Sequence, residues 1–210
     1  MADLKAIAEA VVKGDQAKAT ELTRAAIDEG APVKSILDEG LIGGMDIIAA
    51  RWKRNDVYIP EVLIAARAMK TAMVILEPEL VKAGVKAIGK FIIGTVEGDL
   101  HDIGKNLVTM MMKGAGFEVT DIGIDVPVAR FVEQAKSSGA QLVGLSALLT
   151  TTMPGMEKTL KAMREAGVTA KIMVGGAPVT QAYADKIGAD AYATDAATAV
   201  EVAKKLLSVN

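Results

Sequence analysis

Hydrophobic positions along the chain change rhythm once, near residue 88. Before that point they recur at helical spacing. Leu4, Ile7, Ala8, Val11 and Val12 mark one face, and Gly14-Asp15 ends that pattern and starts another. The second pattern runs through ATELTRAAIDEG and stops at Gly30. A third covers VKSILDEGLIGGMDIIAARWKR, whose glycine-rich middle predicts a bend. A fourth opens at Pro60, a residue suited to the first helical position, and continues as EVLIAARAMKTAMVILEPEL. Four such helices joined by short turns predict an antiparallel bundle.

Beyond residue 88, short apolar runs alternate with helical stretches. KFIIGTV, FEVTDIGI, QLVGLSAL, KIMVGGA and DAYAT are the expected strands. Helices are expected at about 104–115, 128–138, 153–166, 180–187 and 195–208. This alternation, with Val- and Ile-rich strands, implies a parallel sheet covered by helices on both faces. The expected fold is therefore α + α/β. A helical domain over 1–87 precedes a Rossmann-like domain over 88–210, a flavodoxin-like doubly wound five-stranded parallel sheet, with VKAGVKA as the linker. Ligands of such sheets bind beyond the carboxyl ends of the strands.

Composition narrows the chemistry. Aromatic residues are only 3%, so the core must be built from Ala, Val, Ile, Leu and the 11 Met. The net charge of −2 and the lack of a basic stripe argue against a nucleic-acid partner. Cysteine is absent, which removes disulfides, thiolate metal sites and a self-contained iron–sulfur cluster. The start, MADLKAIAEAVVKGDQ, is amphipathic with early acids, unlike a secretory signal. No apolar run approaches the roughly 18 residues of a membrane span. A cytoplasmic protein without a membrane partner is expected.

The single histidine, His101, lies in EGDLHDIGKN, directly after the first expected strand. Asp99 and Asp102 flank it, and Gly98 and Gly104 bracket the group. A phosphate loop requires four residues between its glycines and a hydroxyl after the lysine. Here five intervene, and Asn106 follows Lys105. An ordinary loop with a helix start explains the carboxylates, one of them as a cap, but not the paired glycines at the functional edge. An axial metal ligand is the third reading, with Asp99 as the carboxylate that fixes the imidazole. One histidine cannot hold a bare ion, since a zinc site takes about four ligands. A metal at His101 would arrive already held in a macrocycle, and a corrinoid needs only one lower ligand.

Asp99-x-His101-x-x-Gly104, then Ser146-x-Leu148, then Gly175-Gly176, resembles the cobalamin-binding signature of the methionine synthase and mutase families. Upstream, NDVYIPEVLIAARAMKTAM is similar to the helical cap of methionine synthase and of the corrinoid proteins of anaerobic methyltransferase systems. The combination resembles a free-standing corrinoid protein. The resemblance implies a cobalamin or related corrinoid, with cobalt bound by His101. It implies cofactor contacts from Gly98, Asp99, Asp102, Ile103, Gly104 and Leu148. A slot for the displaced nucleotide tail would be lined by Ser146, Thr150, Gly175, Gly176, Ala177, Thr194, Asp195 and Ala196. The bland alternative for Gly175-Gly176 is a strand-to-helix turn. Thr152 stands where the family has a serine that bonds the aspartate, which gives a relay His101–Asp99–Thr152; the run Thr150-Thr151-Thr152 leaves the inward threonine open. Tyr58, Val62 and Met69 are the implied cover of the upper cobalt face, with bundle core as their bland alternative.

By this resemblance the chain is a methyl carrier, not catalytic on its own. Its implied partners are a substrate-specific methyltransferase, an acceptor methyltransferase using a folate or a thiol, and an external reductive activator. The rival functions are the cobalamin-binding subunit of an adenosylcobalamin-dependent mutase, which needs no helical cap, and a cobalamin sensor or storage protein. The sensor pattern places a Glu-His pair shortly after a tryptophan, whereas Trp52 is followed by KRNDV.

Overall fold

The computed structural model describes residues 2–209. The chain forms two compact units, which divide at Ala87 and Ile88, with the turn Gly114–Gly116 grouped with the first.

In the first unit, α1 (Leu4–Lys13) begins at Asp3, whose carboxylate accepts from the Ala6 N–H at 3.0 Å. Gly14 ends it in the left-handed region, with φ of 70°. Asp15 then caps α2 (Gln16–Asp28) by accepting from the Lys18 N–H at 2.9 Å. One dipeptide therefore stops a helix and starts the next. A side chain at Gly14 is also excluded by packing, because a Cβ there would lie 1.9 Å from Ile64 Cγ2.

The third run, α3, is continuous but changes pitch. It is α-helical over Val33–Ser35, π-helical over Ile36–Ile42 and α-helical again over Gly43–Lys53. The expected bend is thus a stretch of wider helix. Its glycines let α1 come close: a Cβ on Gly44 would sit 2.7 Å from Val11 Cβ and 2.8 Å from the Ala8 carbonyl oxygen. The fourth helix, α4 (Ile59–Lys82), starts one residue before the expected Pro60, and the Tyr58 N–H donates to Glu61 at 3.1 Å. It buries Val62, Ala65, Ala66, Ala68, Met69, Ala72, Leu76 and Leu80.

The second unit is a five-stranded, all-parallel sheet in the order β2-β1-β3-β4-β5. Its strands are β1 (Lys90–Thr95), β2 (Glu118–Asp121), β3 (Leu142–Ser146), β4 (Lys171–Gly175) and β5 (Ala191–Ala193). The helices between and after them are α5 (Ile103–Gly114), α6 (Val128–Ser137), α7 (Met153–Glu165), α8 (Gln181–Ile187) and α9 (Ala196–Leu206). β1, β3 and β4 are almost wholly buried, as double-sided cover demands. β2 departs from that expectation: it is a short edge strand with exposed positions. Two of the three phenylalanines fill space that glycines leave open. A Cβ on Gly94 would lie 2.8 Å from the Phe131 ring, and one on Gly144 would lie 2.6 Å from the Phe91 ring. Full burial of such a ring contributes roughly 1.5–3 kcal/mol.

Among the described residues, no helix is long and apolar enough to cross a membrane. The order 2-1-3-4-5 reverses direction between β1 and β3, so the ligand crevice of this sheet is expected at their carboxyl ends.

The close α1–α3 approach gives a stability test. Gly44→Ala should lower unfolding free energy by about 1–3 kcal/mol through overpacking, although alanine favours a helix. Urea unfolding at neutral pH measures it. An unchanged midpoint would show that α1 and α3 separate without cost.

Candidate functional site

Strand register brings the candidate residues to one edge. Thr95 lies opposite Ser146, Ser146 opposite Gly175, and Gly175 opposite Ala193. The loops that follow these four positions carry His101, Leu148, Gly176 and Thr194. The edge is the carboxyl end of the sheet, and the first two loops leave it at the switch point between β1 and β3.

The loop after β1 turns at Gly98, with φ of 81°, and passes through Asp99 and His101 into α5. The buried Thr95 hydroxyl donates to the His101 carbonyl oxygen at 2.9 Å. Asp99 is fully buried. Its Oδ1 accepts from the His101 N–H at 3.0 Å and faces His101 Nδ1 at 2.8 Å. Its Oδ2 accepts from the Leu148 N–H at 2.7 Å and from the Thr152 hydroxyl at 2.7 Å. Thr152 is therefore the threonine that points inward, and Thr150 and Thr151 are exposed. Burial alone would push the Asp99 carboxyl up. The donors from Thr152, Leu148 and His101 outweigh it and hold the group well below the usual carboxylate range. A carboxylate can only accept, so the ring nitrogen facing it carries the proton. Nε2 keeps its lone pair, and among the described residues nothing bonds to it. The His101 side chain is 49% exposed.

Asp102 does not share this role. Its carbonyl accepts the Asn106 N–H at 2.7 Å as α5 begins, and its carboxylate accepts from the Asn106 amide at 2.9 Å. Ile103 is 79% exposed, and a Cβ on Gly104 would meet no atom within 4 Å. Leu100 is 67% exposed, and Ile124, Leu148 and Leu149 are also exposed. Leu100, Ile124, Leu148 and Leu149 lie in the loops after β1, β2 and β3, at the same carboxyl edge of the sheet as His101. Leu100, Ile124 and Leu149 escaped the sequence reading; apolar residues inside otherwise polar loops were the available signal.

The remaining candidates divide. Ser146 is half-buried, and its hydroxyl has no protein partner among the described residues. A Cβ on Gly175 would lie 3.1 Å from the Ala193 carbonyl oxygen. Gly176 has φ of 134°, and a Cβ there would be 1.8 Å from the Ala147 carbonyl oxygen, so its own neighbours suffice to require glycine. Ala177 is exposed beside it. Asp195 caps α9, accepting from the Thr198 N–H at 2.8 Å and from the Thr194 hydroxyl at 2.8 Å. Burial pushes its carboxyl up, and these bonds bring it below the ordinary range. Ala196 is buried in the first turn of α9. In the helical unit, Val62 and Met69 are buried and Tyr58 is 68% exposed.

Residues 89–201 match the B12 binding domain family, and residues 3–77 match a second family also described as a B12 binding domain. A dimethylamine corrinoid protein of Methanosarcina acetivorans is 44% identical over 213 residues, covering 99% of this chain and 100% of that one. A crystal structure of a cobalamin-binding protein from Desulfitobacterium hafniense superposes with a TM-score of 0.82 at 32% identity, over 98% of this chain and 99% of that one. The methanol:cobalamin methyltransferase complex MtaBC of Methanosarcina barkeri contains a chain with a TM-score of 0.87 at 27% identity, covering 99% of this chain and 80% of that one.

Asp99 also predicts a pH signature. Its folded pKa is depressed, so its contribution is full above the unfolded value of about 3.9 and disappears as pH falls toward the folded value. Asp99→Asn should therefore cost on the order of 2–3 kcal/mol at neutral pH, with the gap to wild type closing below about pH 4. Urea unfolding of the apoprotein across that range measures it. A gap independent of pH would mean that the carboxylate charge contributes nothing.

Proposed function

This chain belongs to the B12-binding corrinoid proteins and binds cobalamin or a related corrinoid, and from that premise we propose that His101 Nε2 is the lower ligand of the cobalt. In this role the protein carries a methyl group between a substrate-specific methyltransferase and an acceptor methyltransferase. The observation that carries the proposal is the His101 Nδ1 to Asp99 contact of 2.8 Å, which leaves Nε2 unengaged at the carboxyl edge of the sheet.

The donor set fits such a cofactor. Among the described residues there is no group of three His, Cys, Asp or Glu able to hold a metal ion. A metal at His101 must therefore bring its other ligands, as a corrin ring does. The open space beyond Gly104 and the exposed Leu100, Ile103, Leu148 and Leu149 suit a flat, largely apolar ring. When bound, the corrinoid supplies a cobalt centre that accepts and releases the methyl group.

The chain's own residues set the conditions. Asp99 accepts the Nδ1 proton, fixes the ring's orientation and makes Nε2 more basic. Thr152 and the Leu148 N–H hold that carboxylate in place, so the electron donation of His101 depends on β3 as well as β1. The unpartnered Ser146 hydroxyl suits a polar nucleotide tail, and Gly175 and Gly176 lie at the same edge of the sheet. With no cysteine, the chain has no thiolate to hold a reducing cluster, so reactivation falls to an external protein. A folate or thiol acceptor enzyme and a cytoplasmic location complete the proposal.

Two substitutions test it. His101→Ala should leave an apoprotein within about 1–2 kcal/mol of wild type, since the ring is half exposed and Asp99 keeps its other donors. Prepared uniformly 15N-labelled and loaded with unlabelled cobalamin, its cobalt(II) form should show no two-line electron-spin-resonance splitting from a protein nitrogen; two-line splitting that survives would refute the ligand assignment. Gly104→Ala should raise apoprotein stability by up to about 1 kcal/mol, because alanine favours a helix. The same change should weaken corrinoid binding in equilibrium titrations. Undiminished affinity would move the ring away from the start of α5.

A further inference from the structure

The His101 loop is held from a second side, by the segment that follows β2. Asp125 is one of three described non-glycine residues with positive φ, at 49°. Its N–H donates to the Asp99 carbonyl oxygen at 3.0 Å, and its Oδ1 accepts from the Gly98 N–H at 2.7 Å. Asp125 thus grips the backbone on both sides of the turn that delivers Asp99. A non-glycine residue in this conformation carries a steric cost, and such cost persists where surrounding structure demands it.

The exit of the loop is tied to the same segment. Lys105, in the first turn of α5, is 3% exposed and forms an ion pair with Asp121 at the end of β2. Its ammonium also donates to Asn106 Oδ1 at 2.7 Å, and the Asn106 amide donates to Asp102 at 2.9 Å. A buried cation at a helix N-terminus opposes the helix dipole. Local preference therefore does not explain Lys105, whereas its bond to β2 does.

We infer that Asp121 and Asp125 form a positioning clamp for the His101 loop, acting through Lys105, Gly98 and the Asp99 backbone. Asp99, Leu148 and Thr152 anchor the loop on the β3 side, and the clamp anchors it on the β2 side. The histidine is suspended between the two, directly beyond β1. Neither Asp121 nor Asp125 hydrogen-bonds to the imidazole; they act on the loop that carries it. This inference rests on His101 being the cobalt ligand.

The test compares Asp125→Gly, Asp125→Asn and Asp121→Asn with wild type and His101→Ala, all loaded with cobalamin and reduced to cobalt(II). The fraction with protein nitrogen on cobalt is read as the two-line spin-resonance splitting from protein grown on 15N-labelled histidine and loaded with unlabelled cobalamin, and urea unfolding of each apoprotein is read alongside. Asp125→Gly loses the acceptor but relieves the positive φ, so its stability should stay near wild type. Its ratio of histidine-bound to histidine-free cobalt should fall about three- to tenfold, the scale of one hydrogen bond. Asp125→Asn keeps an oxygen acceptor and tolerates positive φ, so it should restore most of that ratio. Asp121→Asn leaves Lys105 without its counter-charge and should lower the ratio as well. A wild-type ratio in folded Asp125→Gly, or equal losses in the Gly and Asn variants, would overturn the clamp while leaving the ligand assignment standing. Wild type indistinguishable from His101→Ala would overturn the ligand assignment, and the clamp with it.

Discussion

A carboxylate buried beyond the end of β1 organises this molecule's functional edge. Asp99 has no solvent contact, so each of its oxygens must find donors within the protein. The donors come from two loops far apart in sequence: His101 on its own loop, and Leu148 and Thr152 after β3. Satisfying one anion therefore draws together the loops at the point where the strand order reverses. The same bonds select the imidazole tautomer and aim the remaining nitrogen outward. A structural requirement and a chemical one are met by a single side chain.

Much of this was legible in the sequence because the local rules agree with the fold. Gly14-Asp15 reads as a stop and a start, and both residues act so. The alternation beyond residue 88 yields the strands and helices within a few residues at each end. β2 is the exception: FEVTDIGI looks like a buried strand of eight residues, yet pairing covers only four and leaves most of them exposed. Its apolar content is divided between a short edge strand and a loop that continues toward the site. The pitch change in α3 is visible in the sequence only as glycine richness.

The site was legible in a different measure. Asp99, His101 and Gly104 are marked by spacing, but the choice among three consecutive threonines depends on the backbone path after β3, and only the fold makes it. Gly176 and Asp195 point toward a ligand in the sequence, and the fold adds a local role for each, the close Ala147 carbonyl for one and the cap of α9 for the other. Asp125 and Lys105 carry no spacing signal at all. Their meaning comes from an unusual backbone angle and an unusual burial, quantities that exist only in three dimensions.

The central claim is that the nitrogen on cobalt belongs to His101, and the composition makes that claim unusually direct to test. Because the chain has one histidine, growth on 15N-labelled histidine labels a single imidazole. The cobalt(II) form of the labelled protein, loaded with unlabelled cobalamin, should show two-line nitrogen splitting in its spin-resonance spectrum in place of the three-line splitting of ordinary nitrogen. Three-line splitting that persists after labelling would assign the ligand to the cofactor's own base, and the account of Asp99 and His101 given above would be wrong.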